Sequence, residues 1–175
     1  MASSSFIGNY SPESVVVTIA KGNFVHQVTG FADGTFLSAE RLVPSSTPYI
    51  GSDLTGGRVK RRNHSMNVTL TLHSLASSNL VLQSLQQADA DADSNQWIFS
   101  MTIKDLSGQT LIFSDQCCIQ APPTKSFSTE VDSLDWAIFM FNGEARIGGN
   151  TVLGEAEIQA IEATGAISIE DSWRA

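Results

Sequence analysis

Positive charge is scarce in this chain, and cysteine is nearly absent. Ten Lys and Arg stand against eighteen Asp and Glu, a formal net charge of −8 over 175 residues. Proteins that read nucleic acids carry a basic domain or stripe, and this balance argues against such a role. The two cysteines, Cys117 and Cys118, are neighbours. Adjacent strand residues point to opposite faces, so a disulfide between them would be strained, and both are read as buried thiols in a reducing compartment. No apolar run approaches the roughly 18 residues a membrane span needs. The opening "MASSSFIGNYSPES" has neither the basic region nor the apolar core of a signal peptide. These absences predict a chain made in the cytoplasm, with no membrane partner.

Catalytic patterns are missing as well. His26, His64 and His73 are far apart, with no partner at metal-ligand spacing. There is no G-x-S-x-G, no Walker loop and no Cys-x-x-Cys pair. Asp89, Asp91 and Asp93 have the 1, 3, 5 spacing of a calcium loop, but Ser94 stands where that loop needs Gly and Ser100 where it needs Glu. No catalytic residue, metal or cofactor is expected, and an enzyme is a weak reading.

What the chain does have is β pattern. "SVVVTIA" (Ser14–Ala20) is β-branched through its middle, and "FVHQVTGF" (Phe24–Phe31) returns after a Gly22–Asn23 turn. Asp33–Gly34 reads as a hairpin turn into "TFLSAERL" (Thr35–Leu42). In "SMNVTLTLH" (Ser65–His73), Met66, Val68, Leu70 and Leu72 alternate with polar residues, the mark of a half-buried strand. Three more strands are predicted at Gln96–Ile103, Thr110–Ala121 and Asp135–Ile147, with Trp97 and Trp136 as core. One amphipathic helix is predicted over 79–90, with Val81, Leu85 and Ala88 on its apolar face and Ser77, Ser78 and Asn79 as capping candidates. The expected fold is mainly β: an antiparallel sandwich or barrel of six or seven strands with one flanking helix.

The expected organisation is a single domain over 1–175. Residues 1–13 form an arm with Phe6, Ile7 and Tyr10 as isolated apolar points, and 150–175 form a C-terminal extension that includes a short helix near Glu155–Ala163. Between the third strand and "SMNVTLTLH" regularity stops, giving a long loop over 43–64 with two prolines and three glycines up to Arg62. A loop of that length in a compact domain is functional or disordered.

The loop also holds the charge anomaly. Arg58, Lys60, Arg61 and Arg62 gather four of the ten basic residues within five positions. Residues 1–85 carry six basic and four acidic side chains (+2), whereas 86–175 carry four and fourteen (−10). A positive loop that seeks an acidic surface on another copy explains both halves of that pattern, and Tyr49 is the only aromatic residue near it.

Five phrases, "SFIGNYSPESVVVTI", "VTGFADGTFLSAER", "TIKDLSGQTLIF", "IQAPPT" and "RIGGN", follow one another between Ser5 and Asn150. They resemble a family of phage structural proteins, the tail tube proteins of contractile-tailed bacteriophages (myoviruses), which are related to type VI secretion tubes. The resemblance implies hexameric rings stacked head to tail into a hollow tube in the virion tail, through which DNA passes on ejection. It implies partners: the tail sheath, a baseplate or tube initiator and a tail terminator. It also implies that the long loop reaches into the adjacent ring. Inter-ring contact is therefore expected from Arg58, Lys60, Arg61 and Arg62, with Tyr49, Ile50, Phe6, Ile7 and Tyr10 as apolar anchors. The alternatives are a type VI-like tube protein and a β-sandwich module binding a sugar or a protein.

Overall fold

The computed structural model describes residues 8–174. Its elements in chain order are β1 (Val15–Lys21), β2 (Phe24–Gln27), β3 (Leu37–Arg41), β4 (Ser46–Ile50), β5 (Gly56–Lys60), β6 (Met66–His73), α1 (Ser78–Ala90), β7 (Phe99–Asp105), β8 (Leu111–Ala121), β9 (Ser133–Phe141), β10 (Glu144–Arg146) and α2 (Glu155–Thr164). The molecule is mainly antiparallel β with a flanking helix, as the sequence implies, in a sandwich-like arrangement. Ten strands are present among the described residues, where six or seven are legible in the sequence. Eight of them form one sheet in the order β2-β1-β7-β8-β9-β6-β3, with β10 beside β8, while β4 and β5 pair only with each other. The large sheet is not closed into a barrel: β2 and β3 are its two edges.

That arrangement corrects the Asp33–Gly34 turn. It does not join paired strands, because β2 pairs with β1 and β3 with β6. Residues 28–36 instead cross from one sheet edge to the other. On the way Phe31 bridges Leu72, and the His73 N–H donates to Gly30 O at 2.9 Å.

The core follows from period-two alternation. Met66, Val68, Leu70 and Leu72 on β6 are all buried, and so are Trp136, Ile138 and Met140 on β9 and Met101 and Ile103 on β7. Burying each such side chain contributes about 1.5–3 kcal/mol. β8 changes phase midway: Ile112 and Ser114 face inward, then Cys117 and Ile119. A bulge opposite Phe99–Met101 supplies the extra residue. Ser114 Oγ satisfies it, donating to Phe141 O (2.6 Å) and accepting from the Gln116 N–H (3.2 Å). On the far edge of β8, residues 133–146 form two strands instead of one, broken at Asn142 with φ 48°.

The bulge decides which thiol is hidden. Cys117 is fully buried, whereas Cys118 is only half-buried, a correction to the expectation of two buried thiols. Burial pushes the Cys117 thiol up from 9.0 to about 12; burial first, and then Asp89, raises Cys118 as well. Three pH units lower the thiolate fraction roughly a thousandfold, so Cys117 is expected to resist maleimide at pH 8 until the protein unfolds. Labelling followed by peptide mass spectrometry checks this, and prompt modification of Cys117 in the folded protein would contradict it. Because the folded pKa lies above the unfolded one, this thiol's contribution to stability is intact below pH 9. It declines as the pH climbs towards about 12.

Helix α1 is docked by the residues that look like caps. Ser78 Oγ, fully buried, accepts from the Thr29 N–H and lies 2.9 Å from His26 Nε2. Asn79 takes the Trp136 Nε1–H on its Oδ1 (3.0 Å) and donates to His73 O (3.0 Å). The buried stripe is Ser78, Leu82 and Leu85, with Val81 and Ala88 at its margins, so the apolar face is rotated from the predicted one. Trp136 is core, but Trp97 is not. It sits on a 3-10 turn, Asn95–Trp97, and is 36% exposed.

Candidate assembly surfaces

The expected irregular loop is a β-hairpin. β4 and β5 pair in register from Ser46↔Lys60 to Ile50↔Gly56, and all ten residues are exposed. The hairpin prolongs the β3–β6 pair, since Leu42 N–H donates to Ser65 O and Arg61 N–H to Ser45 O. Pro48 is tolerated because a two-stranded ribbon consists only of edges. The tip is fixed by Asp53, whose Oδ1 accepts from the Thr55 N–H (3.1 Å) and hydroxyl (2.7 Å), and these bonds hold its pKa below the usual value.

The register splits the basic cluster. Alternation places Arg58 and Lys60 on one face with their partners Pro48 and Ser46, together with Ile50. Tyr49, Thr47, Gly57 and Val59 share the other face. Arg61 and Arg62 lie past β5, at the hairpin's base. Tyr49 and Ile50 therefore flank the ribbon on opposite sides. Among the described residues, none of the four cations is in an ion pair.

Sequence reasoning missed two members of this surface. Leu54, at the tip, is 86% exposed with φ 64°, a conformation that costs a leucine roughly 1–2 kcal/mol. Val59 is 55% exposed, between the two strand cations. With Tyr49 and Ile50 they put four large apolar side chains on one projecting ribbon, Tyr49 and Val59 on one face and Ile50 on the other.

Of the arm residues, Tyr10 is 58% exposed, while Phe6 and Ile7 lie outside the described residues. The start of the described chain is held by Asn150. Its Nδ2 lies 3.1 Å from Asn9 O, 3.0 Å from Ser107 Oγ and 3.3 Å from Asp105 Oδ2. A Cβ on Gly108 would come within 2.2 Å of Asn150 Oδ1, and one on Gly8 within 2.9 Å of Asn150 O. Gly8 and Asn9, the Asp105–Gly108 turn and Asn150 thus converge on one knot. Asn150→Ala leaves the largely buried Asp105 short of a donor and is expected to cost about 1–3 kcal/mol. Thermal unfolding measures that loss, and an unchanged Tm would show that the knot contributes nothing.

The chain is similar to structural protein ORF10 of Pseudomonas phage KPP10, with 36% identity over 166 residues that cover 94% of this chain and 95% of that protein. No family model matches the sequence. Among solved structures, the cryo-EM structure of the anti-feeding prophage cap, a tube terminating cap, superposes with a TM-score of 0.54. It covers 83% of this chain and 99% of the cap at 12% identity, a likeness of fold.

Proposed function

The chain belongs to the family of the phage structural protein ORF10 of Pseudomonas phage KPP10, and from that premise we propose that it is the subunit of a phage tail tube. Copies form hexameric rings, the rings stack head to tail, and the lumen conducts DNA into the host. The observation that carries this reading is the β4–β5 hairpin, with exposed cations and apolar side chains on a ribbon clear of the main sheet. Its positive charge belongs at the ring-to-ring contact and not in the lumen, where arginines would hold a passing phosphate backbone. A net charge of −8 per subunit suits a passage that repels DNA. A sheath around the tube, an initiator at the baseplate and a terminator at the far end complete the assembly.

The test is negative-stain electron microscopy of the purified protein, concentrated at low and at high salt. Hollow tubes of uniform width, fewer at high salt, support the reading; monomers under every condition contradict it. A second reading, a tube-terminating cap, draws on the fold of the anti-feeding prophage cap. A terminator makes single rings that never lengthen, so the same micrographs separate the two.

A further inference from the structure

Two open grooves adjoin at the segment that links β2 to β3. The first, about 670 Å³, is walled by Tyr10, Glu13, Phe31, Asp33 and Phe36. The second, about 530 Å³, shares Phe31 and Asp33 and adds His73, Leu75 and Asp132. Among the described residues, neither is lined by Lys or Arg. Part of the wall is aromatic, with the Phe31 and Phe36 rings 5.0 Å apart. The rim is acidic: Glu13 and Asp33 are both exposed.

The position of these grooves matters as much as their chemistry. The hairpin springs from the end of β6 where Arg41 pairs with Met66, whereas Phe31 meets β6 at Leu72. Six residues of extended strand separate the two points, about 20 Å. The ribbon prolongs β3 and β6 away from the grooves, so it does not reach its own. A basic, apolar projection at one end and an acidic, aromatic recess towards the other form a heterologous pair. Such a contact propagates from copy to copy instead of closing as a two-fold dimer.

We infer that the β4–β5 hairpin of one copy seats in the Tyr10–Glu13–Phe31–Asp33–Phe36 groove of the next. Arg58 and Lys60 face Glu13 and Asp33, and the exposed side chains of the ribbon's tip cover the aromatic wall. The inference rests on the stacking reading and names the surface that receives the hairpin. It makes the two ends of the chain distinct, so growth has a direction.

Charge reversal in two variants tests it. One carries Arg58→Glu and Lys60→Glu; the other carries Glu13→Lys and Asp33→Lys. All four positions are exposed, and Asp33 gives up only its local bond to the Gly34 N–H, so both variants should fold, which circular dichroism verifies. Each alone is expected to lose about tenfold in sedimentable polymer, since like charges then meet. Mixed one to one, they are expected to recover it as an alternating copolymer, because each hairpin then finds a groove of opposite sign. The chain carrying all four changes should polymerise by itself.

If wild type polymerises and the groove variant does too, or if the mixture stays unassembled, this docking is wrong while the tube reading stands. If wild type itself never polymerises, the stacking reading fails and the docking with it.

Discussion

Replacing Arg58, Lys60, Arg61 and Arg62 together by Glu is expected to leave the monomer folded and to abolish tube growth. None of the four contributes to the core, and none is held in an ion pair within the described chain, so the melting curve should barely move. Assembly is another matter. An exposed ion pair between copies is worth roughly 0–1 kcal/mol. At ~0.5 kcal/mol for each of four charges, a ring of six gains on the order of 12 kcal/mol if every pair forms. Reversal removes that gain and sets glutamates against an acidic neighbour. Wild-type tubes should also thin out as salt rises, because exposed pairs are screened beyond a Debye length of about 8 Å at 0.15 M. Sedimentation and electron microscopy read both effects. Tubes of normal width and yield from the quadruple variant would remove the hairpin from the ring contact.

Gly30→Ala is expected to have the largest effect on folding. Gly30 has φ 84°, a region that costs a non-glycine residue about 1–2 kcal/mol. A Cβ there would lie 2.3 Å from Ala76 Cβ and 3.1 Å from Ala76 Cα, in the bend that leads from β6 into α1. Overpacking of that kind costs a further 1–3 kcal/mol or so. Together these lower stability by about 2–5 kcal/mol, a fall in Tm on the order of 10 °C for a chain of this size. The cause can be separated. Adding Ala76→Gly removes the 2.3 Å contact but leaves the backbone strain and the 3.1 Å approaches to the residue-76 Cα and to His73 Nε2, so the double variant, compared with Ala76→Gly alone, should recover part of the loss. Full recovery would mean that the left-handed conformation costs nothing here. No recovery relative to Ala76→Gly alone would mean that the Cβ–Cβ contact contributes nothing to the loss.

These two sites differ in how far the sequence announces them. The large sheet is legible wherever one face is buried and the other is not, as in β6, where alternation is strict. The β4–β5 hairpin has no such pattern because both faces meet solvent, so burial imposes no period on it. What makes it a ribbon is backbone pairing, which leaves no mark on side-chain choice, and Pro48, Gly51, Gly56 and Gly57 read as breakers. The strand count is short for the same reason. The cations were visible as a cluster, but their division between the ribbon and its base depends on register, which only the paired strands reveal. The groove beside β2 leaves no trace in the sequence, since Tyr10, Phe31 and Phe36 meet only because the chain crosses between sheet edges after β2. Gly30 is part of a recognisable phrase, yet its reason for being glycine lies in Ala76, far along the chain.

The most direct measurement is a helical reconstruction of the assembled polymer, at a resolution that traces the backbone of residues 46–60. The account predicts the hairpin extending out of its own ring, with Arg58 and Lys60 beside Glu13 and Asp33 of the next. A hairpin folded within its own ring, or lining the lumen, would contradict it.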